Sequence, residues 1–153
     1  MKILVYGSKC QLGTEIQPLL DPHEVVAVDL PELDITDRAL VLGAMHEIKP
    51  DVVINCAAIT AVDLCETEVD LAYSVNALAV RHLAEGCRAT GAHLASVSTD
   101  YVFDGTKEGP YNEWDDPCPV SVYGRSKLAG EIEAGPEATV VRTAWVCGEY
   151  GNN

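Results

Sequence analysis

Long hydrophobic runs are missing from the 153-residue sequence. A helix needs about 20 consecutive apolar residues to cross a bilayer, and no run in this sequence approaches that length. The N-terminal apolar stretch ends at Tyr6 and is too short for a signal peptide. We therefore expect a cytoplasmic protein with no membrane contact.

Basic residues are scarce. Lys and Arg together number 10 against 24 Asp and Glu, and the formal net charge is −14. Most of such a surface repels a phosphate backbone. We expect no nucleic-acid partner.

The six cysteines lack the spacing of a metal or redox motif. No CxxC or CxxH pair occurs among them, and such pairs are the usual signature of zinc sites and redox-active dithiols. A disulfide framework is typical of small secreted domains, whereas this sequence is 48% hydrophobic and has enough apolar residues for a core. We predict reduced, mostly buried thiols and no metal site.

Short apolar runs alternate with amphipathic segments, which is the pattern of repeated β–α units. The predicted strands are residues 3–6, 24–28, 51–56, 93–97 and 139–146. Parallel sheets of this kind are normally covered by helices on both faces. The sequence therefore predicts one α/β domain over residues 1–153, a doubly wound parallel sheet of the Rossmann type.

Helical periodicity fills the segments between these strands. Four helices are predicted: one after the first turn, one in the segment before residue 50, one at about 68–90 and one at about 120–134. Gly91 is expected to end the third of these helices. Their predicted buried positions are Leu12, Ile16, Leu19 and Leu20; Leu40, Ala44 and Ile48; Val80, Leu83, Ala84 and Cys87; and Leu128 and Ile132.

Two stretches depart from this rhythm. Residues 105–121 mix glycines and prolines with acidic residues, which predicts a long irregular loop. After the last predicted strand, no crossover helix follows to cover the sheet. We therefore expect the sequence to stop before a C-terminal portion that completes the substrate site.

A turn bracketed by Gly7 and Gly13 follows the first predicted strand and opens a helix. Such a turn directs the free N–H groups of a helix N-terminus at a pyrophosphate. Its spacing resembles the GxxGxxG turn of short-chain dehydrogenases, except that Cys10 takes the middle position. We expect the added side chain to weaken cofactor binding, because backbone and phosphate approach closely there. The alternative interpretation is a plain strand-to-helix turn.

Asp29 ends the second predicted strand, where a carboxylate can bind the adenosine ribose and disfavour a 2′-phosphate. Lys9, within the turn, would attract that phosphate, so both NADH and NADPH stay open as cofactors. Residues 55–60 follow the third strand and are mostly small. They leave room for a ribose or a flat ring at the carboxyl edge of the sheet, although small residues also suit close helix packing.

Tyr123 and Lys127 are four residues apart on a predicted helix, so their side chains share one face. An ammonium within about 4–6 Å lowers the pKa of a phenol by roughly 1–3, which suits the phenol for proton donation. Carbonyl reduction needs such a proton besides the hydride of a nicotinamide. Thr99, just after the fourth strand, adds a hydroxyl for the same oxygen. The alternative is an amphipathic ring beside a solvated lysine.

Several motifs carry a resemblance to a known family. They are QLG at 11–13, LDITD at 33–37, NCAAITAVD at 55–63, STDYVFDG at 98–105, VYGRSKLAGE at 122–131 and RTAW at 142–145. Together they resemble the dTDP-4-dehydrorhamnose reductases, a family of extended short-chain dehydrogenases. The resemblance implies NAD(P)H-dependent reduction of the C4 keto group of dTDP-4-dehydrorhamnose to dTDP-L-rhamnose, in nucleotide-sugar biosynthesis.

The resemblance also implies residue roles, with Thr99, Tyr123 and Lys127 as the catalytic set. It places at the cofactor Gly7, Gln11, Leu12, Asp34, Ile35, Ala57, Ala58, Thr60 and Asn76. To these we add Cys10, Gly13 and Asp29 from the turn and the second strand, and Tyr123 and Lys127. At the sugar nucleotide it places Val62, Tyr101 and Trp145, and we add Thr99, Asp100 and Tyr123. Without the resemblance, Trp145 would be a core aromatic and Tyr101 a rim residue.

Other functions stay open at this point. The regulatory subunit of methionine adenosyltransferase also resembles this family, so a non-catalytic NAD(P)-binding subunit is one alternative. A nucleotide-sugar epimerase or dehydratase is another. For the reductase, the expected partner is a dTDP-linked keto sugar and one expected assembly is a homodimer. Because of Cys10 and the expected missing portion, we predict weak cofactor binding and no turnover by this chain alone.

Overall fold

The computed structural model describes residues 1–149. They contain a five-stranded parallel sheet in the order β2-β1-β3-β4-β5. Its strands are β1 Lys2–Tyr6, β2 Glu24–Val28, β3 Val52–Asn55, β4 His93–Thr99 and β5 Thr139–Thr143. The predicted Rossmann-like parallel sheet is confirmed, with the last strand ending three residues earlier than predicted.

Six α-helices connect the strands within the described part of the chain. They are α1 Gln11–Ile16, α2 Arg38–Ile48, α3 Val62–Thr67, α4 Val69–Tyr73, α5 Ala79–Thr90 and α6 Val122–Ala134. Short 3₁₀ turns occupy Gln17–Leu20 and Asp100–Val102, and a π turn at Ser74–Leu78 joins α4 to α5. None of the helices within residues 1–149 combines the length and the hydropathy that a bilayer crossing requires.

The chain changes its direction of travel across the sheet after β2, because β2 lies on one side of β1 and β3 on the other. Right-handed crossovers then place α1 on one face of the sheet and α2, α5 and α6 on the opposite face. Helices α2, α5 and α6 pack side by side there. The point between β1 and β3 where the connections diverge is where doubly wound sheets bind their ligands.

Local capping explains where the longer helices begin and end. The Asp37 side chain accepts hydrogen bonds from the backbone N–H groups at the start of α2, and Ser121 does the same at the start of α6. Helix α5 ends at Gly91, whose φ of 79° is left-handed and costs little without a side chain. The predicted stop at Gly91 is confirmed.

The main core lies between the sheet and the helices α2, α5 and α6. Strands contribute Leu4, Tyr6 and Val53, and these pack against Met45 and Leu83 of the helices, all fully buried. The four positions predicted for the buried face of α5 are confirmed, since Val80, Leu83, Ala84 and Cys87 are buried. Apolar burial of this kind is the main favourable contribution to the fold.

Some of the positions predicted to be buried on the other helices were wrong. Leu19 is 79% exposed, because α1 ends at Ile16 and a tighter turn follows it. Leu40 is 51% exposed and α2 instead buries Val41 and Met45, one residue further along, because the helix begins only at Arg38. Ile132 is 73% exposed. Helix α6 instead buries a mixed face that includes Tyr123, Ser126, Lys127 and Gly130.

The cysteines are all free, as predicted, but fewer are buried than expected. Cys65 and Cys87 are buried, Cys10 and Cys56 are half-buried, and Cys118 and Cys147 are exposed. Cys118 lies in the long irregular segment after Val102 and Cys147 lies beyond β5, where little of the core reaches. That segment contains no helix or strand up to Ser121, as the sequence predicted.

The buried amide of Asn76 joins three parts of the molecule. Its Oδ1 accepts a hydrogen bond from the backbone N of Ile59 at 2.9 Å, and its Nδ2 donates to the Ile59 carbonyl at 3.0 Å. Nδ2 also donates to Ser126 Oγ of α6 at 3.0 Å. The π turn that carries Asn76 is thereby tied both to the loop after β3 and to α6.

Asn76→Ala is expected to lower the free energy of unfolding by about 3 kcal/mol, because it removes the partner of the partly buried N–H and C=O of Ile59 and one of the two hydrogen bonds of the buried Ser126 hydroxyl. Urea unfolding followed by circular dichroism measures the loss. Asn112→Ala is the control, since Asn112 is exposed and makes its side-chain hydrogen bond to Trp114 N within the loop. A loss for Asn76→Ala no larger than that of the control would contradict the assignment.

Candidate active site

A cleft of about 460 Å³ opens at the carboxyl edge of the sheet. This volume lies within the range of small-molecule sites, roughly 300–1,000 Å³. Its walls come from the segments after β1 and β3, the ends of β4 and β5, and α6. The lining residues are Cys10, Gln11, Leu12, Cys56, Ala58, Thr60, Val62, Val97, Ser98, Thr99, Asp100, Tyr101, Tyr123, Lys127, Thr143, Ala144, Trp145 and Val146.

The glycine turn is packed too tightly for side chains at its two ends. Gly7 has a left-handed φ of 73°, and a Cβ there would lie 2.5 Å from the backbone N of Ala57. A Cβ at Gly13 would overlap the Gly7 carbonyl oxygen. Neither glycine lines the cleft itself. They bring the N-terminus of α1 and the loop after β3 together at its base.

Cys10 occupies the middle of this turn and caps α1. Its Sγ accepts a hydrogen bond from Gly13 N at 3.3 Å and donates one to the Cys56 carbonyl at 3.6 Å. The thiol therefore satisfies groups of the turn while it also lines the cleft beside Gln11 and Leu12. A turn of this construction, at the mouth of a cleft at the sheet switch point, fits a dinucleotide pyrophosphate.

Thr99, Tyr123 and Lys127 meet in the same cleft. All are nearly buried, at 7%, 8% and 5% exposure. The Thr99 hydroxyl donates a hydrogen bond to Asp100 Oδ1 and accepts one from Tyr101 N, each at 3.2 Å. The ring of Tyr101 packs edge-on against that of Tyr123, with centroids 5.4 Å apart. The structure thus brings together the three residues predicted as the catalytic set.

Lys127 is held by the end of β4. Its Nζ donates a hydrogen bond to the Val97 carbonyl at 2.8 Å. Burial lowers the pKa of Lys127 from 10.5 to about 8, and the charge of Glu131 partly opposes this effect. The lysine is therefore mostly charged at pH 7 but loses its proton more readily than an exposed lysine does.

The predicted acidification of Tyr123 by Lys127 was wrong. Burial raises the pKa of the Tyr123 phenol, and the polar interaction with the Thr99 hydroxyl offsets this only in part. The lysine ammonium donates its hydrogen bond to a backbone carbonyl instead. Tyr123 is thus protonated at neutral pH, which is the state that a proton donor needs.

The end of β2 is cross-linked to the glycine turn. The Asp29 carboxylate accepts hydrogen bonds from Lys9 N and from Leu30 N, each at 2.8 Å. The Lys9 ammonium donates to Glu32 and to the Leu30 carbonyl, each at 2.9 Å. One positive and two negative side chains therefore lie where a doubly wound sheet receives the adenosine ribose.

Part of the predicted cofactor set lies outside the cleft wall. These residues are Gly7, Gly13, Asp29, Asp34, Ile35, Ala57 and Asn76. Hydrogen bonds from Thr36 hold Asp34 and lower the pKa of its carboxyl. The Ile35 side chain belongs to the core. Asn76 is 1% exposed and its amide is used within the protein, so its side chain does not face the cleft.

The predicted substrate residues all line the cleft: Val62, Thr99, Asp100, Tyr101, Tyr123 and Trp145. Trp145 is 93% exposed and has a left-handed φ of 52°, which excludes the alternative of a core aromatic. Its ring stands at the rim of the cleft, which the half-exposed Tyr101 also lines. Exposed aromatic rings at a rim suit stacking on a flat ring.

Sequence reasoning missed other lining residues, namely Cys56, Val97, Ser98, Thr143, Ala144 and Val146. Each of them ends a strand or follows one at the carboxyl edge. That position was the available signal, because ligands of doubly wound sheets bind along this edge. Within residues 1–149, no cluster of His, Cys, Asp and Glu has the arrangement of a metal site.

A family model described as "RmlD substrate binding domain" matches residues 1–153 of the chain. The dTDP-4-dehydrorhamnose reductase of Aggregatibacter actinomycetemcomitans is 45% identical over 158 residues, covering 99% of this chain and 54% of that protein. The enzyme of the same name from Streptomyces griseus is 49% identical over 156 residues, covering 98% and 51%. The chain therefore spans about half the length of the curated relatives it matches.

The similarity to solved structures agrees with these sequence matches. A dTDP-4-dehydrorhamnose reductase of Clostridium acetobutylicum superposes with a TM-score of 0.96 at 46% identity, over 99% of this chain and 56% of that one. A reductase of the same name from Bacillus anthracis, in complex with NADP, superposes with a TM-score of 0.95 at 40% identity, with the same coverage.

Lys127→Met is expected to remove a pH dependence of stability. Because the pKa of Lys127 lies lower in the folded state, this side chain binds more protons in the unfolded state above about pH 8, and its contribution to the free energy of unfolding rises with pH. From pH 8 to pH 9 the change in this free energy is expected to be about 1 kcal/mol more positive in the parent than in the variant. Urea unfolding at pH 7, 8 and 9 measures it.

Buried thiols act in the opposite direction over the same pH window. Burial raises the pKa of Cys56 to about 12 and that of Cys87 to about 11, so they lower stability as pH rises through about 8–9, where a solvated thiol loses its proton. Because both thiols are present in the parent and in the variant, the difference between the two proteins isolates Lys127. Lys107→Met is the control, because Lys107 pairs with Asp115 at the surface, and it should follow the parent. An equal change from pH 8 to pH 9 in the parent and in Lys127→Met would rule out the buried ammonium.

Proposed function

The chain belongs to the RmlD substrate binding domain family, and on this premise we propose that it carries the cofactor-binding and catalytic half of a reductase. The reaction is the NAD(P)H-dependent reduction of dTDP-4-dehydrorhamnose to dTDP-L-rhamnose. One observation carries the proposal: Thr99, Tyr123 and Lys127 line a single cleft together with the turn at the N-terminus of α1. The names of the relatives and the NADP complex support it.

The protonation states of the side chains in the cleft suit a reduction. A bound nicotinamide supplies the hydride that the C4 carbonyl carbon receives. The protonated phenol of Tyr123 donates its proton to the carbonyl oxygen, and the Thr99 hydroxyl hydrogen-bonds the same oxygen. The phenolate left behind lies on the same helix face as Lys127, one turn away. With a pKa of about 8, this lysine is suited to return a proton near neutral pH.

The cofactor residues fall into groups along the cleft and beyond it. We assign the pyrophosphate to the turn from Gly7 to Gly13, through Cys10, Gln11 and Leu12. The adenosine belongs to the side of β2, with Asp29, Asp34 and Ile35. Ala57, Ala58 and Thr60, followed by Tyr123 and Lys127, are assigned to the nicotinamide half.

The sugar nucleotide is assigned to the opposite wall. Val62, Asp100, Tyr101 and Trp145 surround the space in front of Tyr123. The exposed rings of Tyr101 and Trp145 provide apolar faces for a sugar or a base. Because the chain spans about half of its relatives' length, the remaining contacts to this substrate are expected from their C-terminal half.

Tyr123→Phe is expected to lower kcat by roughly 10²- to 10⁴-fold, the usual contribution of a positioned proton donor. The assay follows the loss of NADPH absorbance with dTDP-4-dehydrorhamnose. It uses the chain itself and, in parallel, the chain joined to the C-terminal half of the Clostridium acetobutylicum relative. Tyr111→Phe is the matched control, since its hydroxyl bonds Asp104 in the irregular loop, and it is expected to keep the parent rate.

The same assay separates the alternative functions. Unchanged turnover in Tyr123→Phe would remove this residue from the mechanism. Oxidised cofactor that stays bound through purification, with no net consumption of NADPH, would indicate an epimerase or dehydratase. Cofactor binding without turnover of any keto sugar, together with a co-purifying enzyme, would indicate a regulatory subunit.

Glu32→Gln is expected to raise the affinity for NADPH relative to NADH. In the parent, Lys9 is paired with Glu32 and Asp29 lies beside it, so the local charge of −1 opposes a 2′-phosphate and favours NADH. The Lys9–Glu32 pair is exposed and largely screened by solvent, so the gain is at most roughly five-fold. Titration of both cofactors, followed by fluorescence, measures it.

Glu24→Gln is the matched control for this charge change. Glu24 also pairs with a lysine, Lys2, but at the opposite end of β2. It should leave the ratio of the two affinities unchanged. A lower NADPH affinity in Glu32→Gln, or an equal gain in the control, would contradict the role of the pair.

A further inference from the structure

A charged network lies behind the cleft, on the side of α6 that faces the end of the sheet. Glu131 follows Lys127 by one helical turn, and its side chain is 10% exposed. Its carboxylate accepts a hydrogen bond from Ser98 Oγ of β4 at 2.5 Å. Arg142 of β5 binds it in a two-pronged manner, through Nε at 2.9 Å and Nη2 at 2.6 Å. Two neighbouring strands thus hold this one carboxylate of α6.

Arg142 is itself held in place. Its guanidinium lies over the ring of Phe103, 5.0 Å from the centroid, and Phe103 stacks on Tyr111 of the irregular loop at 4.2 Å. An arginine fixed by an aromatic face loses little entropy when it binds a carboxylate in this geometry. The position of the Glu131 charge is therefore well defined.

Lys127 and Glu131 share a small cavity between α6 and the sheet. The cavity measures about 10 Å³, close to the roughly 10–15 Å³ that one water molecule needs. Its polar walls include Asn76, Ser96, Ser98, Lys127 and Glu131. Across so small a polar space, the two charges interact with little solvent screening.

The groups around Lys127 leave Glu131 as its charged neighbour. On its own helix, Tyr123 is neutral because its pKa is raised, and from the loop after β3 the Cys56 thiol is neutral for the same reason. The groups of strand β4 near Lys127 are the Val97 carbonyl and the hydroxyls of Ser96 and Ser98, and the group of the π turn is the Asn76 amide. All of these groups are uncharged. On β5, Arg142 faces Glu131 rather than the cleft.

We propose that Glu131 is a positioning residue for the reaction, whose fixed carboxylate keeps the buried Lys127 protonated and anchored at Val97 beside Tyr123. The mechanistic meaning of this role rests on the proposed function. The electrostatic coupling between the two side chains is independent of the proposed function, because it is a property of the chain without cofactor or substrate. An arrangement that served stability alone would leave the protonation of Lys127 unchanged when the charge is removed.

The first test measures the pKa of Lys127 directly. The chain is labelled with ¹³C at the lysine Cε, without cofactor or substrate, and titrated by NMR, with Lys127→Met used to assign the signal. In Glu131→Gln the pKa of Lys127 is expected to fall by about 1, because an opposite charge nearby is removed. Glu131→Asp, which keeps the charge, is expected to restore most of the parent value.

Glu133→Gln is the matched control. Glu133 lies two residues further along α6 and is bound by Arg81 in the same two-pronged manner, through Nε at 2.6 Å and Nη2 at 2.5 Å. It is not part of the cavity. Its substitution should leave the Lys127 titration unchanged. An unchanged Lys127 pKa in folded Glu131→Gln, or an equal fall in the control, overturns the proposal.

A second variant covers the case in which Glu131→Gln does not fold. Arg142→Gln removes the positive charge that neutralises Glu131, so the pKa of Lys127 is expected to rise. No change or a fall in that variant overturns the proposal.

The pH profile of turnover tests the link to the reaction. In the chimeric reductase, the alkaline limb should move to lower pH by about 1 in Glu131→Gln, an approximately ten-fold loss at high pH with the rate near pH 6 retained. If the chimera is inactive while the NMR coupling is present, the proposed function fails and the coupling stands. A uniform loss at all pH values overturns the positioning role.

Discussion

The hydrogen bond from the buried ammonium of Lys127 to the carbonyl of Val97 constrains the rest of the site. A buried cation is costly unless it is paired, so α6 must lie close against the end of β4. Small residues make that approach possible. A Cβ at Gly124 would overlap the Tyr101 carbonyl oxygen, and one at Gly130 would overlap that of Asn76. The position of one charge therefore depends on glycines spaced along the helix.

Burial, more than charge pairing, governs the titration of the cleft. It raises the pKa of Tyr123 above 10 and lowers that of Lys127 from 10.5 to about 8, so the lysine pKa falls below that of the phenol. The phenol keeps its proton at neutral pH, and the lysine holds its proton less tightly than it would in water. Transfer of a proton from the Lys127 ammonium to a Tyr123 phenolate is therefore more favourable than transfer from a solvated ammonium to a solvated phenolate.

The cofactor side follows a different principle, in which backbone proximity matters more than titration. Gly7 and Gly13 leave no room for side chains, and the turn touches both the loop after β3 and the end of β2. Cys10 is accommodated because its thiol replaces a capping group by binding Gly13 N and the Cys56 carbonyl. Sequence reasoning treated this residue as an obstacle. Its side chain also has a local structural role, since it satisfies the start of α1.

The sequence by itself determined the order of the elements, the parallel sheet and part of the set of residues that meet at its carboxyl edge. Hydrophobic periodicity, glycine spacing and the Tyr–Lys interval are local signals, and they are readable along the chain. Only the tertiary structure decided which way the proton equilibria shift, that Asn76 binds the protein rather than facing the cleft, and that Trp145 stands at the rim. These properties depend on desolvation and on partners distant in sequence, such as Ser98, Glu131 and Arg142. No local pattern encodes the distance between such groups or the water excluded around them.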